Sequence, residues 1–448
     1  MLHLVFKPHR GTLRAQTVDA QKLFVLLKVI PSAAVGAHRP PLALAFVVDS
    51  SGSMREAGAK GADGRANSKL DVAVSATQSA LSDKRLVEGD LVSVVQFDDV
   101  ARVVLPLEPL GDRRAAIAAL RTLSAYNGGT QIAKGLDAAR EELARILQPG
   151  VAQRVLLLTD GQAFDAEACR VAAKELADAN VPLVAIGVGD DYNEELLRDL
   201  AEIGRGRPYH LSQIEGLEEV FGLEVGSSTR EVVTGVRARV QTVEGVSLGS
   251  VTRVYPDLAE MKIDDSSPDA ATVPLGNIAA GDYTVFVLEM TIAGKARAAG
   301  RARLAQVQLF GSVSNRPDEI ESPISELVVS FSTEDAEAEE VNDEVLGYVE
   351  QRNVDRLVQN AVKRAQNDVP GAQKSLRIAL DITRRLGNVR ATRMLQQSLD
   401  ELGARGKMSS STRKTVLLET RTRTVKTSVA DDLDDVPGDD DIHRLTGA

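Results

Sequence analysis

Between residues 41 and 222, short uninterrupted apolar runs alternate with stretches whose apolar positions recur every three or four residues. LALAFVV precedes SKLDVAVSATQSAL, LVSVVQF precedes RRAAIAALRTL, RVLLLTD precedes AEACRVAAKELADA, and VPLVAIGVG precedes NEELLRDLAEIG. A strand that is apolar on both faces needs cover on both faces. The pattern therefore predicts an α/β unit whose doubly wound, mainly parallel, Rossmann-like sheet lies between two layers of helices.

Outside this stretch the period changes. Residues 1–40 hold the strand-like segments LHLVF and KLFVLLKVI around a turn-prone HRGT. Residues 223–333 hold VVTGVRARVQTV, DYTVFVLEMTI, RARLAQVQLF and SELVVSFS, which alternate between turns as an antiparallel, sandwich-like β module does. The opening strands have no partners of their own and are expected to complete that later module, with the α/β unit inserted between them. From 334 to 406 the helical period returns at Leu346, Val349, Leu357, Val358, Ala361, Val362 and Ala365. Pro370, Gly371, Gly387 and Asn388 divide this helical region into two or three helices.

From 407 onward Arg413, Lys414, Arg421, Arg423 and Lys426 lie among threonines, and a block from Asp431 to Asp441 follows. Such charge blocks predict a disordered tail over 407–448. Within it, Thr412, Thr415, Thr420, Thr422, Thr424 and Thr427 are candidate phosphorylation sites. The alternating VLLETRTRTVKT is a candidate for strand addition to a sheet edge, and a plain basic spacer is the third reading.

Charge and composition narrow the function. With 53 basic against 64 acidic residues the chain carries −11, the wrong sign for general nucleic-acid binding. Its longest clean apolar run, Leu42 to Val48, falls far short of the ~20 residues of a membrane span. The alternating start MLHLVFKPHRGTLRAQ does not resemble a signal peptide, so a cytoplasmic location is expected. The single Cys169 excludes an intrachain disulfide and sits in EACRVAAKEL as a buried small side chain. His3, His9, His38, His210 and His443 form no zinc-hydrolase or nucleophile motif, and no Gly-rich phosphate loop with Lys-Ser/Thr is present.

The candidate chemistry begins where the first buried strand ends, in FVVDSSGSM. Asp49, Ser51 and Ser53 offer hard oxygens from one loop, at the carboxyl end of a parallel strand where ligands of such sheets collect. These suit a hard cation such as Mg²⁺. NGGTQIAKGL adds Thr130 just before a helix, and LLLTDGQ adds Asp160 at another strand end. The competing reading is helix capping, since Asp and Ser oxygens accept bonds from free helix amides. The acidic loop Asp190, Asp191 and Glu194 is either a second cation site or a favourable helix start. The Gly- and Ala-rich loop 55–68, next to the same edge, either shapes partner choice or merely connects.

In this order and spacing, DSSGSM, GGT and LLLTDG resemble the metal-ion-dependent adhesion site of a von Willebrand factor type A domain, of the bacterial intracellular type, over about 41–222. The resemblance implies that Ser51, Ser53 and Thr130 bind the ion through hydroxyls, while Asp49 and Asp160 hold its waters or approach it more closely. It also implies an open coordination position for an Asp or Glu of a protein partner. The expected role is thus a non-catalytic, metal-dependent interaction scaffold using Mg²⁺, with Mn²⁺ or Ca²⁺ as alternatives. Other readings are an accessory of an AAA+ ATPase, a component of a kinase/phosphatase complex and, last, a metal-dependent hydrolase, for which no spare base is evident.

Overall fold

The computed structural model describes residues 2–427, except 37–38, 61–65, 112, 147–149, 190–191, 212–213, 268–269, 295–296, 315, 317, 335–339 and 423. The described residues divide into two compact units. One is Arg39–Thr234 with Ser314–Pro317, and the other combines Met1–His38, Gly235–Val313 and Asp318–Ala448.

The first unit is built on a six-stranded sheet. Its spatial order is Arg205–Leu211, Leu183–Val188, Ala152–Thr159, Leu42–Asp49, Leu91–Phe97 and Ala101–Pro109. All neighbours are parallel except the last pair. The central strand Leu42–Asp49 is buried at every position. Leu44, Phe46 and Val48 enter one core, whereas Ala43, Ala45 and Val47 enter the core on the opposite face. Each large side chain so buried contributes roughly 1.5–3 kcal/mol, which is why this segment reads as a continuous apolar run. Helices Lys69–Leu81, Arg113–Leu120 and Leu217–Ser228 supply the first core. Helices Ile132–Leu143, Ala166–Asp178 and Glu194–Ile203 supply the second, where Cys169 is buried. Helix Leu217–Ser228 straddles the module boundary expected at 222, and the compact unit runs on to Thr234.

In the second unit the opening strands pair with each other and, through Gln21–Pro31, with a strand of the later β segment. Gln21–Pro31 lies antiparallel between Leu2–Pro8 and Thr284–Ile292, in a five-stranded sheet completed by Val246–Tyr255 and Ala259–Met261. A second sheet orders Ala271–Ala279, Glu231–Thr242, Gly300–Ser312, Ser325–Ser332 and Thr12–Arg14. Helix Asp343–Arg364 places Val345, Tyr348 and Val349 against Val5, Leu26, Ile30, Val285 and Val287 of the first sheet.

Helices Val369–Arg385 and Val389–Arg405 follow, capped by Asp368 and Asn388. Pro370 falls inside a first helical turn, where its missing N–H costs nothing. Two expectations for the C-terminal region need correction. The described residues of 407–427 are not a disordered tail, and VLLETRT is not an added strand: Ser410–Thr422 is a helix. The Ser409 hydroxyl accepts from the Thr412 N–H at its start, and Val416 and Leu417 join the core of the preceding helices. Tertiary burial of VLL overrides the alternation of the Thr-Arg pairs. The rest of the expected tail, 428–448, lies outside the described residues. No described helix is long and apolar enough to cross a membrane.

Candidate metal centre

The five oxygen-bearing residues come from three loops at the carboxyl edge of the six-stranded sheet. Leu42–Asp49 and Ala152–Thr159 are adjacent parallel strands, so Asp49 and Asp160 emerge side by side. The chain leaves the first strand towards one side of the sheet and returns on the other, and this switch opens the crevice where ligands of doubly wound sheets bind. The Ser50 N–H bonds Phe97 O (2.9 Å) and the Gly52 N–H bonds Gly128 O (3.1 Å), tying the first loop to its neighbours.

Thr130 is brought in by the helix that follows it. Gly135 of that helix lies so close to the sheet that a Cβ there would come within 2.8 Å of Val47 Cγ1, so glycine permits the approach. No side chain of Gln131 caps this helix. Instead Asp165, from the loop after Asp160, accepts from the Ala133 N–H (2.8 Å). The Thr130 hydroxyl lies 3.0 Å from the position a Cβ would take on Gly161, the residue after Asp160. Thr130 thus sits against the Asp160 loop, 5% exposed.

Around the two aspartates the polar atoms are closely linked. The Ser51 N–H donates to Asp49 Oδ1 (2.8 Å) and the Thr159 hydroxyl to Asp49 Oδ2 (2.5 Å). The Ser53 hydroxyl donates to Asp160 Oδ1 (2.7 Å), and Ser51 Oγ lies 3.2 Å from Ser53 Oγ. Asp49 and Asp160 are buried. Burial raises the Asp49 pKa to about 6, against the opposing effect of the Thr159 and Ser51 hydrogen bonds. Capping does not account for the loop, because the Ser51 hydroxyl accepts from no backbone amide of the short helix Gly52–Arg55 that it precedes.

This donor set fits a hard divalent cation. Neighbouring ligands of an octahedral Mg²⁺ with ~2.0–2.1 Å bonds stand about 3 Å apart, close to the 3.2 Å and 2.7 Å that separate Ser51 Oγ, Ser53 Oγ and Asp160 Oδ1. The described residues contain no group of three or more His, Cys, Asp or Glu placed to hold a metal, so the hydroxyls are needed to complete any such site.

Two contributors were not singled out from the sequence. Thr159 holds Asp49 from the preceding strand position. Lys69, the first residue of helix Lys69–Leu81, donates from Nζ to Asp160 Oδ2 at 2.6 Å and lies 3.5 Å from Glu56 Oε2. Burial opposes its charge, but bonding to Asp160 prevails and raises the ammonium pKa. Of the loop 55–68, Ala57–Lys60 and Ala66–Ser68 pair as a short hairpin. In the acidic loop, Glu194 opens a helix capped by Asn193, whereas Asp190 and Asp191 lie outside the described residues.

Comparison with known proteins bears on the same residues. Residues 43–222 match the profile of the von Willebrand factor type A domain, and 343–426 match that of the Sll0103-like, C-terminal alpha-helical domain. The chain is 24% identical over 272 residues to the uncharacterized protein YfbK of Escherichia coli (strain K12), covering 59% of this chain and 44% of that protein. It is 31% identical over 186 residues to the uncharacterized protein sll0103 of Synechocystis sp., covering 41% and 40%. It therefore spans less than half the length of either relative.

Among solved structures, a von Willebrand factor type A protein from Catenulispora acidiphila superimposes with a TM-score of 0.78 at 21% identity, over 94% of this chain and 97% of that one. The ArnB paralog VWA2 from Sulfolobus acidocaldarius gives 0.58 at 15% identity, over 95% and 99%. The fold shared with these proteins thus extends beyond the α/β unit to nearly the whole chain.

Proposed function

Because residues 43–222 are a von Willebrand factor type A domain, we propose that this chain is a metal-dependent protein-interaction module. Its cation site captures an Asp or Glu of a partner protein. Domains of this family commonly bind a divalent metal at this edge. Ser51, Ser53 and Thr130 would hold it through hydroxyl oxygens, with Asp49 and Asp160 behind them, and Mg²⁺ suits the donor set. The bound cation supplies a positive centre that attracts a carboxylate.

The observation that carries this reading is the convergence of three loops on one largely buried cluster, three of whose members, Ser51, Ser53 and Thr130, carry uncharged hydroxyls. Neutral ligands leave more of the ion's charge for an incoming anion. We read the role as binding and not catalysis, since both carboxylates are already engaged. Asp49 accepts from Ser51 and Thr159, and Asp160 from Ser53 and Lys69. Neither is free to act as the base that a hydrolase would need.

Proximity labelling in the native cell, comparing wild type with Asp49→Ala at equal abundance, tests the proposal. The expected result is a small set of proteins lost only from the variant and recovered on wild type when Mg²⁺ is supplied. Identical labelled sets would contradict it.

A further inference from the structure

Lys69 breaks a local rule. It opens a helix, where the macrodipole disfavours a cation, although Ser68 and Asp71 form a capping box around the same turn. Asp71 is occupied by that box. The Lys69 side chain instead reaches Asp160, which lies 91 positions further along the chain. The Asp160 carboxylate is fully buried, whereas Glu56, the other carboxylate near Lys69, is 68% exposed. The backbone joins the same groups, since the Lys69 N–H donates to Glu56 O (3.1 Å).

We propose that Lys69 is a built-in counter-ion with two positions, which sets how tightly the site takes its divalent cation. The inference rests on the metal-site reading above. Without the cation, the ammonium neutralises Asp160 through Oδ2 and holds the carboxylate towards Ser53. Cation entry brings a second positive charge to the same carboxylate. Lys69 then yields Oδ2 and turns to Glu56 at the rim, remaining protonated throughout. The lysine thus stabilises the ion-free loops and lowers cation affinity. Its movement also links occupancy to the turn that joins the hairpin Ala57–Lys60 and Ala66–Ser68 to helix Lys69–Leu81.

Calorimetric titration of the full chain with MgCl₂, beside thermal unfolding without and with Mg²⁺, tests this. Removing a unit charge at ion-pair distance in Lys69→Met is expected to tighten Mg²⁺ binding on the order of 10-fold. It should also lower the melting temperature of the ion-free protein and enlarge the rise that Mg²⁺ produces. Lys69→Arg, which keeps the charge, should stay near wild type. Glu56→Gln removes the alternative partner and should weaken Mg²⁺ binding roughly 3-fold, the scale of one exposed ion pair.

Weaker or unchanged Mg²⁺ affinity in a folded Lys69→Met protein overturns the counter-ion role, and wild-type binding in that same experiment leaves the metal-site reading standing. Binding by Lys69→Met but not by wild type supports both, with the lysine closing the site. If Lys69→Met misfolds, Glu56→Gln decides: unchanged affinity there rejects the two-position scheme. Absence of binding in wild type and every variant removes both readings.

Discussion

The strand Ala152–Thr159 carries buried charge near both of its ends, and the two ends treat it differently. Near its start, Arg154 is 8% exposed and bonds both Glu224 and Glu231. Glu224 in turn meets Arg207 Nη1 (3.2 Å) and the Tyr209 hydroxyl (2.6 Å). Two arginines face two glutamates, so the group is formally neutral. At the other end Asp160 bonds Lys69, while Asp49 accepts from the Ser51 N–H and the Thr159 hydroxyl and meets no cation among the described residues, leaving one of the two buried carboxylates without a counter-charge. A balanced buried cluster stabilises only the fold. A cluster short by one positive charge has use for a cation from outside, and that difference supports the proposed cation site without reference to any motif.

Breaking the balanced end should have the largest effect and the least functional consequence. Arg154→Met leaves two buried carboxylates without their main partner, and such losses cost about 3–5 kcal/mol. Denaturant unfolding should show that loss, while the Mg²⁺ dissociation constant of the folded variant stays at its wild-type value. A changed Mg²⁺ affinity would mean that the two ends are coupled and the contrast is misdrawn.

The second test sharpens the unbalanced end. Thr159→Val keeps the volume and removes the hydroxyl that orients Asp49. Mutation of such outer partners typically costs ~10–100-fold in metal affinity, and titration calorimetry should find Mg²⁺ binding weakened by that order. An unaltered affinity would place Asp49 outside the cation's reach.

The smallest effect serves as a control from the other unit. Burial, with Arg10 nearby, lowers the His9 pKa below its ordinary 6.5, against a bond to Phe24 O that raises it. The unfolded chain then takes up its proton at a higher pH than the folded one, so stability is complete above about pH 6.5 and declines below it. Thermal unfolding should show that decline in wild type and a shallower one in His9→Phe, with Mg²⁺ affinity at pH 7 unaffected. A decline of equal steepness in the variant would assign the pH dependence to other groups.

Much of this layout is legible along the chain because each feature has a local cause. Leu42–Asp49 reads as a doubly covered strand because neighbours on both faces bury it, and Asp160 is visible because a buried apolar run ends abruptly in Asp-Gly. The pairing of Gln21–Pro31 with Thr284–Ile292 spans the whole α/β insertion, yet opening strands too few to form a stable sheet of their own point to it. Long-range polar pairing is what escapes. Lys69 is an ordinary surface lysine by its neighbours, and its partner lies 91 positions away. The helix Ser410–Thr422 escapes for another reason: its apolar residues stand together as VLL among basic threonine-rich residues, so its period shows only once Val416 and Leu417 meet the preceding helices.

The central claim is that oxygens from three loops surround one divalent cation, and direct titration of the purified full chain with MgCl₂ tests it best. Wild type should bind one Mg²⁺ per chain, and Asp49→Ala, folded by circular dichroism, should bind none. An absence of heat in wild type, or equal binding by the variant, would contradict the account.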